Sequence, residues 1–485
     1  RPAIPEPVGL FEAILPVASL IVLVGLSFHL FGDAGASGPN QVALVVATMI
    51  AVVIGWRRGH SLDALREAAV ASVGSGIGAI FILFAVGALI GTWAMSGTLV
   101  AMVYYGLKLL SPNYFYAATA LIAAAVSFSI GSSWTVAGTI GIGFMGIATN
   151  MGLDPAITAA AVISGAYFGD TTSPLSDSTN LAAASAGVDL YRHIRETLPT
   201  SATALVLALG FFLTLGSPGD FDASDKISAI EASFHISPVL FLPLVLVVGL
   251  ALLRLPPFTT IFIGALAGGL LAVLVAPGRV LAFAGGEDLP DWLALLKGAW
   301  LALASGYNGS TGHATIDQLV SRGGMDSMLN TIWLIVTALA FGGVVEKAGV
   351  LDRLITPLIA AAKSAGALVT WLVAAVFGTN VVTADQYMAI VLPGRMFKGA
   401  FARRGLAASV LSRSVGATAT PTSALIPWNS CGAYMAATLG VATLSYAPYA
   451  VFNLVSPLLT VLMAFAGLRM LHAPADQAAT AQDRP

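Results

Sequence analysis

The chain has 485 residues, of which 57% are hydrophobic and only 9% charged, with a net charge of -2. An ordinary soluble domain carries roughly 25% charged residues and a nucleic-acid binder needs a basic face, so both classes are excluded. One cysteine, Cys431, excludes an intrachain disulfide and a two-cysteine metal clamp. What remains is an integral membrane protein whose apolar surface faces lipid.

In chain order, residues 1–10 read as a short polar lead, because no small-residue cleavage site follows the first apolar run. Residues 11–31 and 41–56 are apolar enough to cross ~30 Å of hydrocarbon. The loop 32–40 between them lacks Lys and Arg, while Trp56-Arg57-Arg58 and Arg66 follow the second run. Positive loops stay cytoplasmic, which predicts a cytoplasmic N-terminus and an external 32–40 loop. Arg395, Lys398, Arg403, Arg404 and Arg413 are placed inside on the same ground. Further apolar segments fall near 72–93, 114–130, 156–168, 200–216, 238–254, 258–276, 329–345, 366–378, 405–415, 432–441 and 447–468. The expected fold is all-α, with about eleven to thirteen crossing segments. Residues 131–150 and 379–394 are apolar but interrupted by Gly, Asn or Pro, as re-entrant hairpins are. Residues 279–326, with Gly285-Gly286-Glu287-Asp288 and the glycines at 306–312, read as a loop.

The chain repeats itself. GDTTSPLS at 169–176 matches GATATPTS at 416–423, 247 residues apart. Gly91 and Gly97 match Gly342 and Gly349, and Gly187-Val188 matches Gly440-Val441. The division predicted is N-terminal spans at 1–60, a first repeat at 61–217, connecting spans and loop at 218–304, a second repeat at 305–470 and a polar tail at 471–485. Inverted repeats with discontinuous helices bring their breaks together near the bilayer midplane, where unwound backbone offers groups to a ligand.

The polar chemistry sits at these breaks. Gly169 and Pro174 interrupt a helix amid Asp170, Thr171, Ser176, Asp177, Thr179 and Asn180. Such hard oxygen ligands suit Na⁺. An Asp inside a membrane costs at least ~2.5 kcal/mol, so function is its first reading. The plain alternative is a surface loop with Asp170 capping a helix. In the second half Asp385 is flanked by Asn380 and Thr383, and Asn429 follows Pro427. Here the alternative is a capped helix start. Ser132 and Ser133, at the tip of the first hairpin, can add oxygens, although mid-membrane serines also bond across helices. Asp170, Asp177 and Asp385 are the candidate Na⁺ ligands. The six histidines fall mostly at span ends and show no metal-ligand spacing. A buried carboxyl group holds a proton or a metal cation but not both, and alternating access turns that competition into antiport. No nucleophile or cofactor is needed, and no HExxH, GxGD or Ser/His couple suggests an enzyme.

The strings GSSWTVAGTIGIG (131–143), SGAYFGDTTSPLSDSTNLAAASAGVDLYRHIR (164–195), SRGGMDSM (321–328), TADQYMAIVLPGRMF (383–397) and LIPWNSCGAYMAATLGV (425–441) resemble the NhaC-type Na⁺/H⁺ antiporter family, with weaker similarity over most of 60–470. The resemblance implies a secondary transporter exchanging Na⁺ for H⁺ in the bacterial cytoplasmic membrane. In some relatives it implies exchange of small carboxylates such as malate and lactate. It carries over Asp170, Asp177 and Asp385, with Ser176, Thr179, Asn180 and Asn429 as neighbours. Two departures stand out. The family's Lys-Met after the Gly-Asp pair is Thr171-Thr172, and its Glu-Asp pair is Gly416-Ala417. Their loss favours the alternative expectation, a Na⁺- or H⁺-coupled carrier of a small organic acid or amino acid. The partners expected are lipid, Na⁺, H⁺ and an organic solute, without nucleic acid. Related carriers are often homodimers, and the sequence marks no dimer surface.

Overall fold

In lipid every backbone N–H and C=O must be satisfied within the protein, so uncharged runs of Leu, Ile, Val and Ala fold as helices. The computed structural model describes residues 6–216, 222–285 and 289–472. The described residues are all-helical, apart from isolated bridges between Tyr307 and Arg322 and between Leu406 and His472. The first part of the chain forms α1 (Leu10–Phe31), α2 (Pro39–Arg57), α3 (Leu62–Ser75), α4 (Ile77–Ser96), α5 (Thr98–Leu109), α6 (Phe115–Ile130), α7 (Ser133–Val136), α8 (Ile142–Met151), α9 (Pro155–Thr172), α10 (Asp177–Ala186) and α11 (Leu190–Thr214). A connecting group follows: α12 (Ser224–Ser233), α13 (Leu242–Leu252), α14 (Pro257–Val275), α15 (Pro277–Ala284), α16 (Asp291–Ser305) and α17 (Ala314–Val320). The last part holds α18 (Leu329–Lys347), α19 (Val350–Ala361), α20 (Ala365–Thr383), α21 (Gln386–Arg403), α22 (Ala408–Ser423), α23 (Ser430–Leu439), α24 (Thr443–Tyr446) and α25 (Val451–Phe465).

Seven of these helices are long and apolar enough to cross a membrane, and nine spans result if two bent pairs each count as one. The shorter apolar helices α5 and α6 add to them. The stretch 279–326, expected to be a loop, contains most of α15 and all of α16 and α17. Its period-3.6 apolar face was hidden among glycines and acids. Of the GGED string, Gly286, Glu287 and Asp288 lie outside the described residues, as does the tail from 473.

The helix boundaries recur. Left-handed residues end helices at Gly97, Gly131 and Gly187, and again at Gly349, Ala384 and Gly440, which lie 252 or 253 residues further on. Helix starts at Pro155 and Ala408, and the capping residues Ser176 and Asn429, share the offset of 253. This register differs from the 247 of the two similar strings. The strings match in turn-type residues, whereas helix stops are set by backbone geometry. At 253, Asp170 falls on Ser423, Pro174 on Pro427 and Ser133 on Gln386.

The two series run in opposite directions. α10 leads out of the protein interior to Gly187 and α11 begins there; His193 in its first turns bonds Ser412 near the start of α22, with Nδ1 and Oγ 3.0 Å apart. So α22 enters from the face at which α10 leaves, as inverted repeats require.

Candidate functional site

Two helix ends meet at the first break. α9 stops because Ser173 is extended and Pro174 follows; Ser176 then caps α10 by accepting the Thr179 N–H. Opposite, α6 stops at Gly131 (φ 79°) and Ser132 caps α7. A Cβ on Gly131 would lie 2.5 Å from the Leu175 carbonyl carbon and 2.7 Å from the Ser176 nitrogen. The hairpin tip can therefore touch the break only because residue 131 is glycine, which also adopts positive φ freely. Gly131→Ala is expected to separate these backbones and cut transport at least about tenfold, by a collision and a strained φ together. Flux in proteoliposomes checks it, and wild-type rates would overturn it.

Asp170 lies in the last turn of α9, 7% exposed. Its carboxylate accepts hydrogen bonds from Ser133 Oγ at 2.5 Å, Ser176 Oγ at 2.6 Å and Ser178 Oγ at 2.9 Å. Its carbonyl accepts from Thr179 Oγ1 at 2.7 Å. One residue thus ties the hairpin tip, the end of α9 and the start of α10 together. The second half repeats the arrangement with the uncharged Ser423 in the place of Asp170. Ala384 takes the left-handed place of Gly131, and Asp385 caps α21 by accepting the Tyr387 N–H at 2.9 Å. Ser423 Oγ donates to Gln386 Oε1 at 3.2 Å, the counterpart of the Ser133–Asp170 bond with hydroxyl and acceptor exchanged. Cys431 Sγ reaches the same amide oxygen at 3.4 Å.

A cavity of about 760 Å³ lies between the breaks. Asp170, Asp177, Asp385, Ser132 and Asn180 line it, as do Trp134 and Tyr387. Beyond its wall the Trp134 ring stacks on Tyr434, with centroids 4.0 Å apart and planes 9° from parallel. Tyr434 OH donates to the Trp134 carbonyl at 2.8 Å.

This polar break, duplicated in the chain, coincides with a profile of the Na⁺/H⁺ antiporter family that matches residues 165–468. The NhaC Na⁺/H⁺ antiporter of Alkalihalophilus pseudofirmus is 38% identical over 88% of this chain and 90% of its own. The chain belongs to the Na⁺/H⁺ antiporter family. Similarity extends to the arginine/ornithine antiporter of Halobacterium salinarum, 34% identical over 95% of this chain and 92% of that one. It extends also to the malate-2H⁺/Na⁺-lactate antiporter of Bacillus subtilis, 34% identical over 94% of this chain and 95% of that one. Like these members of the family, the chain is a secondary active antiporter and not an enzyme.

Several of the predicted site residues bond within or between helices and stand back from the cavity. Thr171 and Thr383 donate their hydroxyls to Tyr167 and Thr379 on their own helices. Asn380 donates to the Ala419 carbonyl and Thr422 Oγ1, and Asn429 to the Asn380 carbonyl. All four are buried, the two asparagines brace neighbouring segments, and none of the four lines the cavity. Ser133, Ser176 and Thr179 act through Asp170. The three aspartates share the cavity wall, but no three His, Cys, Asp or Glu among the described residues stand close enough to hold one ion. A cation there must draw on hydroxyl and carbonyl oxygens besides a carboxylate. Gly416 and Ala417, where the resemblance implied an acidic pair, also lie outside the cavity. A Cβ on Gly416 would meet His193 Cε1 at 3.1 Å, and the Ala417 carbonyl accepts from Ser456. Their loss therefore changes helix packing and not the charge of the cavity wall. His193 lies in the first turn of α11, at a span end as expected, and is fully buried.

Proposed function

We propose that the protein exchanges Na⁺ for H⁺ across the bacterial cytoplasmic membrane, with Asp170 as the group that carries either ion. The observation behind this is the Asp170 carboxylate, buried where two helix breaks meet, ringed by three hydroxyls and in contact with the cavity. A hydroxyl is both donor and acceptor. With the site empty, the serines donate to the carboxylate. With Na⁺ present they rotate and offer lone pairs to the ion beside it. A proton on Asp170 removes the charge that attracts Na⁺, so the two ions exclude each other. Asp177 and Asp385 supply negative potential along the cavity wall.

The orientation follows from charge. Arg404 bonds the α19–α20 turn, and His193 ties the α10–α11 junction, with Arg192 and Arg195, to the start of α22; we assign these and Arg57 and Arg58 to one face. Positive-inside makes that face cytoplasmic, with the N-terminus on the same side. Tyr191, beside that junction, lines the cavity, so the cavity opens inward. The Trp134–Tyr434 stack, joining residues 61–217 to 305–470, then closes the external path. Offset-stacked rings contribute about 0.5–1.5 kcal/mol beyond area burial. Tyr434→Leu is expected to shift the population towards the outward-open state about fivefold, from that energy. External labelling of a cysteine introduced at the cavity residue Asn180, on a Cys431→Ser background, reads the shift; unchanged labelling would remove the stack from the gate.

A second reading, coupled carriage of a small organic acid or amino acid, is favoured by the cavity itself. Its 760 Å³ falls in the range of about 300–1,000 Å³ typical of pockets for organic ligands, far beyond what one Na⁺ needs. Two of the relatives named above exchange such solutes. The deciding experiment is proton movement in proteoliposomes under an imposed pH gradient, adding Na⁺, K⁺, then carboxylates and amino acids. Collapse by Na⁺ alone supports Na⁺/H⁺ exchange. Silence with every cation and a response to one organic solute would replace it with the second reading.

A further inference from the structure

α13 ends in a turn that a glycine normally completes. The Arg254 N–H bonds the Ala251 carbonyl at 2.9 Å and the Leu255 N–H bonds Leu250 at 3.2 Å, which puts Arg254 at φ 65°. This closing position favours glycine because a Cβ there is crowded. Only Arg254, Ala384 and Arg469 are non-glycine residues with positive φ among the described residues. One of them, Ala384, sets the start of the second break; Arg254 is another that belongs to the cavity, whose wall it lines together with Asp170, Asp177 and Asp385. Pro256 and Pro257 follow, with fixed φ and no N–H, so the turn cannot relax into a longer helix.

The guanidinium is chemically idle. Arg58 pairs with Glu12, Arg279 donates to the Met95 carbonyl and Arg413 to the Arg469 carbonyl. The exposed Arg254 side chain has no hydrogen-bond or ion-pair partner among the described residues. It is also the sole Lys or Arg among the described residues lining the cavity. A site for Na⁺ alone gains nothing from it, since a fixed cation opposes the entry of another. A planar fork of donors on a wall that also carries three carboxylates suits a ligand with its own carboxylate, which the fork can bind in two parallel hydrogen bonds.

We infer that Arg254 is a specificity-determining residue that binds the carboxylate of an organic solute in the cavity. The charge facing the aspartates is supplied by an ammonium group on that solute or by accompanying Na⁺. The inference rests on the second reading of function given above. It gives that reading a residue, and explains why an arginine occupies a glycine's backbone position.

The test is calorimetric titration of the purified full chain with L-alanine, L-arginine, L-lactate and succinate, each beside its amide. At least one carboxylate is expected to bind at least tenfold more tightly than its amide. That preference is expected to disappear in Arg254→Gln and to survive in part in Arg254→Lys. Arg254→Gly removes the guanidinium while suiting the positive φ, so it answers if Arg254→Gln does not fold. A wild type without preference for carboxylate over amide overturns the inference. So does a preference that persists in Arg254→Gly, which would leave Arg254 as an ordinary cytoplasmic-face arginine. Na⁺-linked proton flux, measured in parallel, separates this from the Na⁺/H⁺ reading. Flux without carboxylate binding sinks the inference alone, while Arg254-dependent carboxylate binding without Na⁺-linked flux sinks that reading and supports the inference.

Discussion

Asp170→Asn is expected to abolish Na⁺-dependent proton flux, by at least about a hundredfold, while the protein still purifies as a folded species. An intramembrane carboxylate survives only where its function repays its desolvation. Asparagine keeps the shape and one carbonyl oxygen, so it can still accept from two of the three serines. Its amide can donate to the third, which is free to turn its lone pairs. The folding loss is thus one charge-assisted bond, about 1–2 kcal/mol. What disappears is the negative charge that lets H⁺ and Na⁺ compete. In the wild type a higher pH should raise apparent Na⁺ affinity, because fewer protons occupy the carboxyl group; in the variant neither pH nor Na⁺ should matter. Flux retained within threefold of wild type would take Asp170 out of the transport step.

Gly165→Val is expected to have the largest effect on folding, about 3 kcal/mol or more. Ala161, Gly165 and Gly169 form a row of small residues on α9, spaced by four, that faces α6. A Cβ on Gly165 would stand 2.1 Å from the Ala120 carbonyl oxygen and 2.8 Å from Ala124 N. Backbone cannot yield as a side chain can, so the helices must part. Parting them moves Asp170, one residue beyond Gly169, away from Ser133 on the hairpin. Size-exclusion yield and thermal stability in detergent measure the effect. Gly210→Val on α11 is the control, because nothing lies within 4 Å of its Cβ position and loss there should be small. Equal stability of the two variants would contradict the close α6–α9 packing.

Much of the site was legible because few residue types behave as Asp170 and Asp385 do. A lone acid inside an apolar run is costly to bury, and Gly and Pro beside it mark where the helix stops. Asn380 and Asn429 were not separable from ligands on sequence grounds. A buried amide that braces two helices and one that binds an ion are the same letter, and only their partners distinguish them. The repeat was legible, and the pairs Gly97/Gly349 and Gly187/Gly440 already carry its register; the match of the two strings does not. Gly, Thr, Pro and Ser recur at 169–176 and 416–423, yet Ser176 and Asn429 are the equivalent caps. With that register, Gln386 and Ser423 emerge as the uncharged echo of Ser133 and Asp170. Arg254 escaped notice because an arginine at a span end satisfies positive-inside, and its positive φ is invisible without coordinates.

The paired rings of Trp134 and Tyr434 bear on a different quantity, the leak. A carrier that works beside a proton-motive force must keep protons from passing when no partner ion moves. Proton hopping needs an unbroken file of water or of hydroxyls free to take a proton on one side and release it on the other. Parallel rings 4.0 Å apart leave no room for water between them. The one hydroxyl in the contact has its hydrogen engaged by the Trp134 carbonyl. The seal proposed above would therefore be insulating as well as closed. A cell energised by that gradient loses nothing through this path until a bound ion or solute draws the two halves apart.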